Sequence, residues 1–297
     1  MSLRRITLMT AASVGAKERT AFVLSGGGSL GAIQAGMLME LIAAGVRPDL
    51  IVGVSAGAVN GAFLAHDPSV DTTERIAQLW SRVTTREALG LTWRSVFGLL
   101  GRQGYVADSS GLRRILERDL PYRSIENAAI PFHILAADEA SGSEVILSSG
   151  DVIEAVLASA AIPGVFAPVL IDGRRLIDGA VAGTPIAAAA RLGATRLLVV
   201  PCGFTCVGGA VPRRALGRAM HAINLVGARQ LRRDFDEYSA RVRVRLVPPL
   251  CPLAQSSYDY SHGARLISAA RQSTRRWLDE GGLENDEYPH QLLIHVH

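Results

Sequence analysis

Short apolar runs and longer stretches of helical periodicity alternate along most of the chain. The apolar runs, bounded by glycine, proline or aspartate, predict buried strands at residues 20–25, 50–54, 131–138, 144–148, 196–201 and 242–247. Amphipathic or alanine-rich stretches between them predict helices at residues 73–80, 112–120, 151–160, 211–233 and 256–278. This alternation of strands and helices predicts an α/β fold with a mainly parallel central sheet.

The chain opens as a strand, a glycine-rich turn, a helix and a second strand. The first strand, 20–25, is followed by the turn 26–31 and by a helix that ends at Gly45, a residue type favoured at helix C-termini. The second strand, 50–54, ends at Ser55. A right-handed crossover would place both strand ends at the same edge of a parallel sheet, where ligands bind in such folds.

A Gly-x-Ser-x-Gly motif marks the end of the second predicted strand. Gly53 and Gly57 flank Ser55, and small residues that suit a helix follow. A serine at a sharp strand-to-helix turn sits in strained backbone, and glycines let neighbouring chain pass close to it. The motif therefore predicts a nucleophilic serine, although an ordinary glycine-rich turn would give the same pattern.

The glycine-rich turn at residues 26–31 could belong to a dinucleotide-binding site, a phosphate-binding P-loop or an oxyanion hole. Gly26, Gly28 and Gly31 match a dinucleotide-binding fingerprint, but Ser55 stands where the ribose-binding acid should follow the second strand. A phosphate-binding P-loop would need Lys-Ser/Thr after the glycines, and none is present. We therefore predict that the backbone N–H groups of Gly26, Gly27 and Gly28 form an oxyanion hole beside the serine.

The base that would activate the serine is predicted to be Asp178. The histidines, which usually take this role, lie in predicted strands and helices or in the C-terminal tail. Asp172-Gly173 is explained as a hairpin turn between two apolar arms. Asp178 lies at the end of the second arm, so the hairpin turn does not explain why an aspartate stands there. A carboxylate is a weak base in water, so its site must be dry enough to raise its pKa.

Composition sets wide limits on function. The chain has 297 residues, 48% of them hydrophobic and 20% charged, which is typical of a globular protein. Its net charge of +4 is carried by arginine, with Lys17 the only lysine. This charge is thin support for nucleic-acid binding and is compatible with an anionic membrane surface. The three cysteines, Cys202, Cys206 and Cys251, are scattered, and we expect all of them to be thiols.

One domain is predicted, over residues 20–280. Residues 1–19 are expected to form a flexible leader rather than an export signal, because polar residues interrupt their apolar run. Residues 281–297 are expected to form a polar tail. The apolar segment at residues 89–105 fits either a lid or a buried hairpin.

Three motifs in order resemble the patatin-like phospholipase family: Gly26-Gly27-Gly28-Ser29-Leu30-Gly31, Gly53-Val54-Ser55-Ala56-Gly57 and Asp178-Gly179-Ala180. Residues 158–168 also resemble the segment that precedes the aspartate in bacterial members. The resemblance implies a three-layer α/β/α fold, with Ser55 as nucleophile, Asp178 as base and an oxyanion hole at Gly26–Gly28. It implies a supporting role for Gly31, Gly53, Gly57 and Gly179. Many relatives carry Arg or Lys where this chain has Leu30, so the chain departs from the family at that position.

The activity that the resemblance implies is hydrolysis of acyl esters of phospholipids or related lipids through an acyl-enzyme, with no metal and no cofactor. Two alternatives stay open: an acyltransferase with the same acyl-enzyme, and a lipid-binding or regulatory protein without turnover. We expect a lipid or acyl ester substrate, transient contact with a membrane surface and no nucleic-acid partner. No apolar run reaches the length of a membrane span, and we expect a cytoplasmic protein at the inner membrane face.

Overall fold

A computed structural model describes residues 18–88, 90, 104–203, 215–253, 255–285, 289 and 292. Within them the strands are β1 (Thr20–Leu24), β2 (Leu50–Val54), β3 (Phe132–Asp138), β4 (Glu144–Leu147), β5 (Val169–Ile171), β6 (Arg174–Asp178), β7 (Arg196–Val200) and β8 (Arg243–Leu246). The α-helices are α1 (Gly31–Ala43), α2 (Ala56–His66), α3 (Val70–Arg82), α4 (Thr85–Ala88), α5 (Ser110–Asp119), α6 (Val152–Ser159), α7 (Pro185–Arg191), α8 (Ala215–Ser239) and α9 (Gly263–Asp279).

The strands form one mixed sheet of eight strands. Its central part, in the order β3-β2-β1-β7-β8, is parallel throughout. The β5–β6 hairpin and β4 are antiparallel additions at the β3 end. The prediction of a mainly parallel sheet is confirmed, and the antiparallel part becomes important below because it carries Asp178.

Helices cover both faces of the sheet, which gives the three-layer α/β/α architecture that the sequence resemblance implied. Alternate residues of β1 face opposite layers: Phe22 and Leu24 join the core under α1, α2 and α3, whereas Ala21 and Val23 join the core under α7 and α8. All four side chains are fully buried. Strands buried on both faces explain why the sequence shows continuous apolar runs rather than alternation.

Most predicted elements are confirmed within one to four residues. Asp151 caps α6 as expected, its side chain accepting hydrogen bonds from the N–H groups of Ile153 and Glu154 at 2.8 and 2.9 Å. The prediction of a helix from residue 256 is wrong for its first turn, because α9 begins at Gly263. Residues 256–259 instead form an irregular loop, in which the Ser257 carbonyl accepts a hydrogen bond from the Ser29 N–H at 2.8 Å.

Several predictions concern residues outside the described ranges. They include residues 1–17 of the expected leader, most of the segment 89–105 and most of the tail after residue 285. The domain limits at residues 20 and 280 stay a prediction. Cys202 is a buried thiol as expected, whereas Cys251 is disulfide-bonded, so the prediction of a thiol is wrong for that residue. In the part of the chain that the structure describes, none of the helices combines the length and apolar character needed to cross a bilayer.

Candidate active site

Ser55 lies at a sharp turn between β2 and α2. Its backbone has φ 54° and ψ −121°, a conformation that a residue with a side chain rarely adopts. The turn is tight because Gly57 passes the end of β1, where a Cβ on Gly57 would lie 2.2 Å from the Leu24 carbonyl oxygen. Only glycine fits there, which explains the second glycine of the motif. The turn presents the serine side chain at the N-terminus of α2, where the helix dipole favours negative charge.

The sheet register brings Asp178 directly to the end of β2. Leu135 of β3 pairs with Val54, and the next residue, Ala136, pairs with Asp178 at the end of β6. Because β4 occupies the other edge of β3 at the same level, β2 and β6 must share one edge and meet end to end. Asp178 and Ser55 therefore lie side by side, 123 positions apart in the sequence numbering.

Asp178 is a buried carboxylate in contact with the serine. Only 4% of its surface is exposed, and burial raises its pKa from 3.8 to about 6. Two hydrogen bonds partly oppose this rise, one donated by the Ser55 hydroxyl and one by the Ala180 N–H at 2.9 Å. The carboxylate is thus a stronger base than an exposed aspartate and stays ionised above about pH 6.

Ser159 supports this pair, and the sequence analysis missed that role. The Ser55 N–H donates to the Ser159 hydroxyl at 2.8 Å, and that hydroxyl donates to the Leu135 carbonyl at 2.6 Å. Ser159 is fully buried at the end of α6. It holds the strained turn against β3, at the point where β2 and β6 meet. A serine in an alanine-rich stretch was the only signal available in the sequence.

Of the predicted oxyanion-hole glycines, Gly26 lies against Ser55 and Gly28 lines the same cleft as the serine. A Cβ on Gly26 would be 3.1 Å from the serine Cβ and 3.8 Å from its Oγ. Gly28 has φ 58° and lies against the Ser257 carbonyl, where a Cβ would approach to 2.3 Å. Gly27 packs in the same way against Cys202. Among the described residues, no backbone or side-chain acceptor takes the N–H groups of these glycines, so the groups are free to bind an anion.

The supporting glycines named in the sequence analysis surround the same point. Gly31 packs against the ring of Trp80, Gly53 against the backbone at Gly57, and Gly179 against the Leu135 carbonyl. Leu30 is buried in the apolar core. As an aliphatic side chain it offers no charge to a ligand.

An apolar cleft opens beside the serine. Ser55 and Gly28 form one end, and the walls come from α2, α3, α4, α5 and the loop before α9. The side chains that face it are mainly aliphatic or aromatic and include Val59, Leu79, Trp80, Ile115, Phe166 and Tyr260. Trp80 and Tyr260 stack with ring centroids 6.2 Å apart. The cavity volume of about 60 Å³ is small for a ligand pocket, so a large apolar group must displace wall side chains.

A buried polar network links this cleft to the glycine turn. The Trp80 ring N–H donates to Asn60 Oδ1 at 2.6 Å, and the Asn60 amide donates to Gln34 Oε1 at 2.9 Å. The Gln34 amide in turn donates to the carbonyls of Ser25 and Val200 at 2.9 and 2.8 Å. Asn60 and Gln34 are fully buried. The network therefore fixes the residue that precedes Gly26 relative to the cleft wall.

Asn60→Ala is expected to lower the free energy of unfolding by about 1–3 kcal/mol, because it leaves the Trp80 N–H without its acceptor and Gln34 Oε1 without its donor in a dry site. Urea denaturation of both proteins measures the change. Asn127→Ala is the matched control, since Asn127 is exposed and its side chain has no partner among the described residues. Equal losses in the two variants would contradict a structural role for the network.

None of the histidines among the described residues is placed to act as the base. His66 ends α2 and stacks on Tyr122, His133 contacts Ser148, and His262 faces Asp259 at 3.3 Å. His221 lies in α8. Within the same residues no group of three metal-binding side chains occurs. Asp178 is therefore the only titratable partner that the described structure gives to Ser55.

An α/β fold that holds a serine at a strand-to-helix turn against a buried carboxylate has the arrangement of a serine ester hydrolase. Residues 22–190 match the sequence profile of the patatin-like phospholipases. Since the match covers more than half of the chain, the chain belongs to the patatin-like phospholipase family.

Similar proteins include the neuropathy target esterases sws of Drosophila. The Drosophila melanogaster protein is 29% identical over 187 residues, which is 61% of this chain and 13% of that protein. The Drosophila sechellia protein is 30% identical over 162 residues, 53% of this chain and 10% of that protein. The chain thus matches only a small part of the length of these relatives.

Two solved structures show a distant likeness in fold. VipD from Legionella pneumophila aligns with a TM-score of 0.47 and 13% identity, over 89% of this chain and 67% of VipD. Human GIVD cytosolic phospholipase A2, in complex with methyl gamma-linolenyl fluorophosphonate, aligns with a TM-score of 0.45 and 13% identity, over 89% of this chain and 58% of that enzyme.

Proposed function

We propose that the protein hydrolyses acyl esters of phospholipids or related lipids through a Ser55–Asp178 dyad. The observation that carries the proposal is the meeting of β2 and β6, which brings Ser55 to a buried carboxylate, Asp178, whose pKa is raised to about 6. A serine hydroxyl needs a base in contact with it to become a nucleophile. Asp178 supplies that base without a histidine.

The reaction proceeds in two steps. In the first, Ser55 Oγ bonds to the acyl carbon while Asp178 accepts the hydroxyl proton, and that proton then passes to the departing alcohol oxygen. In the second, water loses a proton to Asp178 as its oxygen bonds to the acyl carbon. The Ser55 Oγ–acyl bond breaks, Ser55 regains the proton, and a free fatty acid leaves. The atoms balance without a cofactor.

The tetrahedral oxyanion of each step is bound by the N–H groups of Gly26, Gly27 and Gly28. The contact of Gly26 with Ser55, the place of Gly28 in the same cleft and the lack of acceptors for all three N–H groups in the described structure support this role. The N–H groups of Ala56 and Gly57, which directly follow the serine at the start of α2, also have no backbone acceptor among the described residues. Donors fixed in place before the reaction stabilise the developing charge without reorganising.

The substrate class is supported by the cleft. Its walls are aliphatic and aromatic and begin at Ser55, which suits an acyl chain attached to the reacting carbonyl. Transfer of the acyl group to an alcohol other than water shares the first step, and product analysis with added alcohol separates the two activities. A protein that binds lipid without hydrolysing it would not need a buried Asp178 carboxylate next to Ser55.

A fluorophosphonate probe tests the proposal, because it reacts covalently with activated serines. We expect stoichiometric labelling of wild type, located at Ser55 by peptide mass mapping, and no labelling of Ser55→Ala. Ser29→Ala is the control for a second buried serine of the site region and should label like wild type. Folded wild-type protein that resists labelling, with and without lipid vesicles, would refute the proposed activity.

A further inference from the structure

We propose that the N-terminal half of α8 is the surface by which this protein binds membranes that contain anionic lipids. The proposal rests on the proposed function, since it supplies a route to a lipid substrate, but it concerns residues outside the catalytic dyad. The surface consists of Arg218, Ile223, Leu225, Val226 and Arg229 and is called the α8 surface below.

The α8 surface exposes large apolar side chains. Ile223, Leu225 and Val226 are 43%, 41% and 54% exposed. Only Val70, Leu170 and Val181 are comparable among the large hydrophobic residues that the structure describes. Half of these exposed side chains thus fall within four consecutive residues. Such clustering marks a surface that meets an apolar partner, whereas scattered exposed residues need no explanation.

The same surface is cationic. Arg218 and Arg229 are exposed on the helix face that carries Leu225 and Val226, because these positions are separated by three, four or seven residues. Neither arginine forms an ion pair with any described residue. From residue 215 to residue 233 the helix carries four arginines and no acid; its acids, Asp234, Asp236 and Glu237, lie in the last turns.

The α8 surface lies beside the candidate active site. Asn224, on the opposite side of the helix, donates to the Ser257 hydroxyl at 3.1 Å. The Ser257 carbonyl accepts from Ser29 and lies against Gly28, which lines the cleft. A membrane that contacts the α8 surface would therefore be separated from the glycine turn only by α8 and the loop that carries Ser257.

An anionic bilayer fits this surface better than a second copy of the chain. Apolar side chains of an amphipathic helix enter the boundary between headgroups and acyl chains, while arginine stems extend toward the phosphates. Two copies that paired through α8 would instead bring their unpaired arginines together, and like charges oppose such a contact. Charge complementarity therefore selects the anionic lipid.

Vesicle co-sedimentation of full-length Ser55→Ala tests the proposal, because this variant keeps the α8 surface and removes turnover of the lipid. We expect binding to vesicles of phosphatidylcholine with phosphatidylglycerol, and much weaker binding to phosphatidylcholine alone. Adding Leu225→Ser and Val226→Ser should weaken binding about tenfold or more. Adding Arg229→Ala should weaken binding about fivefold, and only to the anionic vesicles.

Val70→Ser and Arg75→Ala are the matched controls. Val70 is exposed to the same 43% as Ile223, and Arg75 is also exposed. Both lie on α3, which follows the far end of α2 from Ser55. Neither control should change binding. Equal losses in the control and α8 variants, or no binding of Ser55→Ala to either vesicle, would overturn the proposal.

Two further measurements keep the proposal separate from the proposed function. Hydrolysis of a soluble short-chain ester by the α8 variants should match wild type, because the dyad is untouched. Vesicle binding by Ser55→Ala without hydrolysis by wild type would refute the catalytic proposal and leave the membrane surface intact. Sedimentation velocity provides the remaining test: a wild-type dimer that Leu225→Ser and Val226→Ser convert to a monomer would identify a second copy as the occupant and overturn the membrane proposal.

Discussion

Asp178→Asn is expected to lower kcat for ester hydrolysis by about 10⁴-fold, the loss typical for removal of a base from a serine catalytic unit. Asparagine keeps the size of the side chain and can still accept the Ser55 hydrogen bond, but it cannot take the proton. Steady-state assays with a soluble short-chain ester measure the loss without dependence on a membrane surface.

The pH profile gives the same prediction a second readout. Asp178 acts only when ionised, and its pKa is about 6. The wild-type rate should therefore fall about tenfold per pH unit below pH 6 and reach a plateau above pH 7. The residual rate of Asp178→Asn should not show this fall below pH 6.

Asp178→Asn should also stabilise the protein at neutral pH. The folded pKa of about 6 lies above the ordinary value of 3.8, so between these values the folded chain binds more protons than the unfolded chain. Wild-type stability therefore falls as pH rises through this window. Above pH 7 the difference amounts to about 3 kcal/mol, which the neutral asparagine avoids. Urea unfolding at pH 4 and pH 8 should show the gain only at pH 8.

Asp172→Asn is the matched control for both readouts. Asp172 also precedes a glycine in the same hairpin, but it lies in the turn with φ 49°, which asparagine tolerates. It should leave both kcat and the pH dependence of stability unchanged. Wild-type activity in Asp178→Asn, or a stability gain that is equal at pH 4 and pH 8, would contradict the assigned role.

Gly57→Ala is expected to lower the free energy of unfolding by about 2–3 kcal/mol, and kcat by about 100-fold in the fraction that folds. The new Cβ would lie 2.2 Å from the Leu24 carbonyl oxygen, so β1 and the Ser55 turn must move apart. A displacement of about 1 Å at a nucleophile is enough for a loss of this size. Thermal unfolding measures the loss of stability. Steady-state rates, divided by the amount of reactive serine that a fluorophosphonate titrates, measure the loss of kcat.

Gly227→Ala provides the comparison for this substitution. Gly227 lies within α8, and a Cβ there would meet nothing within 4 Å. Alanine should stabilise that helix by about 0.5–1 kcal/mol. A Gly57→Ala protein as stable and active as Gly227→Ala would show that the turn has room that the structure does not assign to it.

Much of the fold was predictable because strands that are buried on both faces consist of continuous runs of apolar residues. β2 is predicted at its observed bounds, Leu50–Val54, and β1 differs from its prediction by one residue. The start of α9 was not predictable from periodicity. The helical pattern runs on into residues 256–259, but there the Ser257 carbonyl bonds to Ser29, more than 200 positions away. This tertiary contact overrides the local helical pattern, and the residues near 256–259 do not reveal it because the partner is distant in the sequence.

The candidate site shows the same limit. Ser55 and Asp178 were predicted from where apolar runs stop, because a polar residue at a strand end needs a reason. Ser159 and Asn60 were missed as supporting residues, because each depends on partners brought by other elements: Ser55 and Leu135 for Ser159, Trp80 and Gln34 for Asn60. A single buried serine or asparagine in an alanine-rich helix has no periodic signature.

Because β2 and β6 meet end to end along one edge of β3, the positions of Ser55 and Asp178 depend on different parts of the sheet. Ser55 depends on the parallel core of the sheet, whereas Asp178 depends on three register pairs between β3 and a terminal hairpin. A two-residue slip of that hairpin would keep the same side chains facing inward but carry the carboxylate about 6.6 Å away. Such a slip would leave Ser55 and the parallel core of the sheet unchanged and would remove only the carboxylate partner of the serine.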